Sequence, residues 1–143
     1  MLALMTVSNA GNLLMAVADT LEEAYVAKKV YYVGGCFIPP IILIVIFKMC
    51  NIQLKKWVEN VFYFYSFAVY GMVLTIGYST IYYKSASLTK VGMMNVFTPE
   101  YGFCHNFFYV LLYGYLLIGI IVLIDSLKEK NQVSRKNLWL LIG

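Results

Sequence analysis

Few residues in this chain have the type and spacing to do chemistry. The single histidine, His105, follows Cys104 and stands five residues after Glu100. An imidazole titrates near neutral pH, so His105 suits proton sensing or contact with a ligand. It builds no metal site alone, because Cys36 and Cys50 fall on a different apolar stretch. Its plainer reading is an interfacial side chain making one hydrogen bond. The three cysteines are scattered without charged partners and read as buried thiols. Pro39-Pro40 follows Gly34-Gly35 inside an apolar run. Each proline removes an amide donor, so the pair is a candidate hinge, or a place where freed carbonyls meet a ligand or ion; a static kink is the plainer alternative. HExxH, GxSxG, phosphate-loop and paired-carboxylate patterns are all missing from the sequence, so no catalytic residue, metal site or cofactor is expected.

The elements that must carry these residues are membrane helices. Hydrophobic residues make up 62% of the 143 positions and charged ones 13%, and the mean hydropathy is +0.75. A water-soluble globule of this size has too much surface for its volume to hide that much apolar area. Lys, Arg, Asp and Glu are missing from 1–18, 30–47, 60–83 and 101–124. As helices these runs are about 27–36 Å long, against a hydrocarbon core of about 30 Å. Unpaired backbone is too costly in lipid for any open form, and the alternation of barrel strands is not seen. The expected fold is therefore all-α: a polytopic transmembrane helix bundle with four full spans, A to D, in one unit over 1–143. The first span is interrupted by Thr6, Ser8, Asn9 and Asn12; a signal peptide competes there, but it lacks a basic leader and a clear cleavage site. Asn9 and Asn12 share a helix face and are expected to point into the bundle as interhelical glue. A further span opens at Asn137 and stops at Gly143, so the chain is expected to be a fragment cut inside a helix.

Lysine and arginine placement orients the bundle. The segments with Lys48, Lys55 and Lys56, and with Lys128, Lys130, Arg135 and Lys136, outweigh those with Lys28 and Lys29 or Lys84 and Lys90. The first two are therefore expected at the cytoplasmic side. Such anchoring accounts for the net charge of +4 without nucleic acid as a partner. In the outer A–B connection, Thr20 followed by Glu23 has the spacing of a capping box, starting a short helical turn that leads into span B. The longest connection, about 84–100, is also outer and contains Gly92, Asn95 and Pro99. Long loops on a rigid scaffold carry binding residues. With the lone histidine, this selects Glu100, Tyr101, His105, Tyr78 and Tyr83 as the candidate ligand-binding set. The thirteen tyrosines and nine phenylalanines otherwise read as an aromatic belt and helix packing. Tyr109 and Tyr113 share a face, and Tyr115 points elsewhere.

Two stretches carry a family resemblance. Glu22-Glu23 leading to Tyr32-Val33-Gly34 and Pro39-Pro40, and the run from Glu100 through Tyr115 with its Tyr101-Gly102 step, resemble the N-terminal seven-helix sensor region of bacterial histidine kinases, a module also fused to diguanylate cyclases. The resemblance spans the chain as helices two to five and the start of six. It implies a multi-pass region of the bacterial inner membrane that detects an extracytoplasmic or membrane-borne cue, a small molecule or a membrane property. The change would pass to a cytoplasmic signalling output domain, kinase or cyclase, absent from this chain; the region itself would not be an enzyme. A homodimer is compatible with it. The competing readings are a fragment of a secondary transporter, with the proline pair breaking a helix around substrate, and a structural membrane subunit.

Overall fold

The computed structural model describes residues 1–91 and 94–128. The apolar run from Asn137 to Gly143 and the cations Lys130, Arg135 and Lys136 lie outside the described residues. Among the described residues, four helices and one β-hairpin follow in the order α1 (Leu2–Val17), α2 (Leu21–Met49), α3 (Lys56–Leu74), β1 (Tyr83–Val91), β2 (Met94–Tyr101) and α4 (His105–Lys128). Among the described residues, α2 and α4 are the two helices long and apolar enough to cross a bilayer. The apolar α1 has 16 residues, a length of about 24 Å, and α3 has 19.

The start of α2 is set locally. Thr20 Oγ1 accepts from the Glu23 amide at 3.2 Å, and the Glu23 carboxylate accepts from the amides of Thr20 at 3.3 Å and Asp19 at 2.9 Å. This is the expected capping box, and Glu22 and Glu23 also complement the positive end of the helix dipole. From it one unbroken helix continues through Pro39 and Pro40 to Met49. Thr20→Ala should lower thermal stability by about 1 kcal/mol, read by unfolding in mixed micelles.

Close approach of α1 to α2 depends on small residues. A Cβ on Gly11 would run into the Tyr31 backbone, and one on Gly34 would stand 2.5 Å from Ser8 Cβ. Ser8 Oγ donates to the Tyr31 carbonyl at 3.1 Å. Among the described residues, Asn9 and Asn12 are not the interhelical contacts expected: both are exposed, because backbones this close leave room for Ser and Gly but not for an amide side chain.

Two further expectations need correction. Span C does not run over 60–83, since α3 ends at Leu74. Thr75 Oγ1 donates to the Met72 carbonyl at 2.7 Å, and Gly77 takes a left-handed φ of +85° in the turns that follow. The fold is mostly helical but not purely all-α, because the longest connection is an antiparallel hairpin with Ala86 opposite Pro99, Leu88 opposite Phe97 and Ser87 opposite Thr98. Ala86, Leu88, Phe97 and Pro99 are half-buried, and Ser87, Thr89, Val96 and Thr98 are exposed. That alternation is the period of a strand with one covered face. The inner face rests on α2, where Phe97 meets Tyr25 edge to face at 6.1 Å beneath the Lys28 ammonium. Asn95 Nδ2 donates to the Ala18 carbonyl at 2.7 Å, tying the hairpin to the α1–α2 corner.

The buried core runs from Leu43, Val69 and Val73 through Cys36, Leu111 and Tyr115 to Tyr32, Tyr82 and Tyr83 beneath the hairpin. Leu116, Leu117, Ile120, Ile121 and Ile124 of α4 stay exposed, as suits a helix whose surroundings are lipid.

Candidate functional site: an aromatic and histidine cluster beneath the hairpin

Tyr82 and Tyr83 are neighbours in the chain, yet both are buried, at 0% and 5% exposure. Tyr82 belongs to the turn before β1, so strand alternation does not separate the two, and the register break between Tyr83 and Ser85 re-aims Tyr83 relative to the rest of the strand. Gly102 then closes the corner into α4. Its amide donates to the Tyr82 carbonyl at 2.8 Å, and the Cys104 amide donates to the Ile81 carbonyl at 3.1 Å. The turn delivers His105, 3% exposed, beneath the two tyrosines.

Tyr32 of α2 is the hub. Its ring meets Phe108 at 4.9 Å, Tyr82 at 5.6 Å and His105 at 6.3 Å, all edge to face. Its hydroxyl shares a hydrogen bond of 3.2 Å with that of Tyr83. His105 is stacked on Tyr101 at 4.0 Å with the rings 12° apart, and it meets Tyr109 edge to face at 4.7 Å and Tyr82 at 5.2 Å. Two polar atoms in this knot, Tyr82 Oη and His105 Nδ1, are buried and make no hydrogen bond among the described residues. Buried polar atoms without partners are costly and uncommon. Tyr101 remains 49% exposed, so one face of its ring covers His105 while the rest meets the surroundings.

Of the five residues proposed from sequence, three come together here: Tyr83, Tyr101 and His105. The other two do not. Tyr78 is 89% exposed and lies under the Lys29 ammonium, 4.6 Å from its ring. Glu100 is on the outward face of β2, where it accepts from Ser85 Oγ at 2.8 Å. The reason is the strand period: Glu100 and Tyr101 are adjacent, so only one of them can face the cluster. His105 is also not the interfacial side chain with one hydrogen bond that its position suggested. Tyr32, Tyr82 and Phe108 were missed as site residues; the pairs Tyr31-Tyr32 and Tyr82-Tyr83 looked like parts of an aromatic belt, and nothing local marks one member of a pair as the inner one.

Burial holds the hydroxyls of Tyr82 and Tyr83 well above the ordinary tyrosine range. Raised values keep these groups neutral in the folded chain, while in the unfolded chain they ionise near pH 10. Their contribution to stability is complete below about pH 10 and falls as the pH rises beyond it. Unfolding midpoints should therefore drop through the alkaline range, and tyrosinate absorbance should lag in the folded protein. Tyr82→Phe should flatten that drop.

An array of apolar helices capped at one end by a hairpin and a cluster of aromatic rings defines a helical membrane protein. The chain belongs to the family described as the N-terminal 7TM region of histidine kinase, whose model matches residues 1–143. The family is a transmembrane region of these kinases and not their catalytic part. No curated protein and no solved structure matches the chain.

Proposed function

We propose that this region is the sensory input of a membrane signalling protein, lying as several spans in a bacterial inner membrane. It detects an extracytoplasmic or membrane-borne cue at its hairpin end and passes the change to a cytoplasmic output domain. Membership of the histidine kinase 7TM family supports the input role. The observation that carries the location is the stack of Tyr101 on His105 at 4.0 Å, beside the Tyr32–Tyr83 hydroxyl contact. These contacts join the hairpin to α2 and α4, the two membrane-length helices. A cue that lifts or seats Tyr101 would change how the hairpin clamps those helices, and a difference in affinity between two such arrangements is what a sensor needs. Glu100 and Tyr78 stand on the exposed rim of this end and are proposed to meet the cue first. Pro39 and Pro40 are the proposed hinge through which α2 transmits the change.

The test is autokinase activity of the full-length protein in vesicles. Tyr101→Ala should shift basal activity by about tenfold, the effect of losing one aromatic contact of about 1.4 kcal/mol between two states. Glu100→Ala should alter the response to the physiological cue with basal activity kept. Unchanged basal activity in Tyr101→Ala and His105→Gln, with both proteins folded, would remove the cluster from the signalling path.

A further inference from the structure

A second feature lies deeper in the membrane and involves none of the cluster residues. Between α2 and α4, with α1 at one end, runs a groove of about 710 Å³, within the range of roughly 300–1,000 Å³ typical of small-molecule sites. Its lining carries no lysine, arginine, aspartate or glutamate. Gly35 and Pro39 both line it, and they are four residues apart in one continuous helix. Proline has no amide hydrogen, so Pro39 cannot donate to the Gly35 carbonyl as the residue at that position otherwise would. Pro39 stands midway along the charge-free run Val30–Phe47. A carbonyl freed at that depth has no water to turn to, and an unmatched polar group in hydrocarbon is costly. On the opposite wall stands Tyr113 of α4. Ile42, Leu116 and Ile120 make the rest of that stretch apolar.

We infer that this groove binds a neutral lipophilic alcohol or phenol, whose hydroxyl donates to the Gly35 carbonyl and whose apolar body lies along Ile42, Leu116 and Ile120. The chemistry follows from the walls. A donor is required because the free group is an acceptor. A charged head is excluded by the depth and the uncharged lining. A phospholipid does not answer the acceptor, since its head group belongs at the membrane surface. The site goes beyond the outer cluster, and binding is read directly, so the result does not depend on whether that cluster detects a cue.

The experiment uses the protein in phosphatidylcholine vesicles with a diazirine-bearing para-octylphenol as photoprobe, followed by peptide mapping. Labelling is expected on the peptides carrying Ile42 and Ile120. It should be displaced by para-octylphenol and not by octylbenzene, which has the same body without the hydroxyl. Pro39→Ala restores the amide donor and favours the helix, so it should weaken labelling about fivefold, the weight of one net hydrogen bond. Ile120→Trp, which fills the groove, should abolish it. Three outcomes overturn the inference: equal displacement by both compounds, which makes the groove a place for any acyl chain; no labelling of these peptides, which means another helix covers them; and labelling unchanged in Pro39→Ala.

Discussion

Tyr32→Ala is expected to cost about 4 kcal/mol of stability, more than most single changes in a small domain. The ring it removes is the common neighbour of Tyr82, His105 and Phe108, and large aromatic deletions in cores cost roughly 3–5 kcal/mol. Its hydroxyl is the partner of Tyr83 Oη, so truncation also strands a buried hydroxyl. Tyr32→Phe separates the two contributions. It keeps the packing and leaves the Tyr83 hydroxyl unpaired, and should cost about 1–2 kcal/mol. Unfolding of both variants in mixed micelles measures the difference. Equal losses would place the whole effect in the hydrogen bond, and a loss below about 1 kcal/mol for Tyr32→Ala would show that the cluster does not hold the hairpin to the helices.

The second large effect is expected at Gly102. A Cβ there would enter the Ile81 carbonyl group and come within 2.8 Å of the Thr80 carbonyl oxygen. These are backbone atoms, with no flexible side-chain end to give way. Gly102→Ala should therefore force the corner apart. It endangers the bonds from the Gly102 amide to Tyr82 and from the Cys104 amide to Ile81, costing about 3 kcal/mol in all. It should also unseat His105, three residues on. Gly71 is the control. It lies inside α3 and a Cβ there meets nothing within 4 Å, so Gly71→Ala should be neutral or raise stability by about 0.5–1 kcal/mol. Hydrogen exchange of the hairpin amides distinguishes the two, with faster exchange expected in Gly102→Ala alone. If both variants behave alike, the close approach at the corner is not a constraint on the fold.

Two starting points show how unevenly the fold was written in the residues. The capping box at Thr20 and Glu23 was legible because all its atoms belong to four consecutive residues, and local geometry decides it. The hairpin over Tyr83–Tyr101 looks like a loop in the sequence, although Ala86, Leu88, Phe97 and Pro99 alternate with Ser87, Thr89, Val96 and Thr98 in a pattern of period two. Its strands are short and only half covered, and Pro99 sits within one of them; each feature weakens a strand signal. The same alternation would have separated Glu100 from Tyr101. The lone histidine and the Tyr101-Gly102 step point to the hairpin end of the molecule, and the aromatic residues there are too numerous for spacing to rank them.

By itself, the sequence determined that the chain is a membrane region, that apolar runs underlie α2 and α4, and that it resembles the N-terminal 7TM region of histidine kinase. These follow from composition, from charge-free lengths and from a pattern spread along the chain, each a sum over many residues that tolerates local error. The tertiary structure decided which face of each aromatic pair turns inward, that Tyr32 joins Tyr83 and His105 across more than fifty positions of chain, and that Gly35 and Pro39 line one groove with α4. Such contacts are set by the crossing of helices at glycine and by one break in strand register. A shift of a single residue in either would exchange the buried side chain for its neighbour.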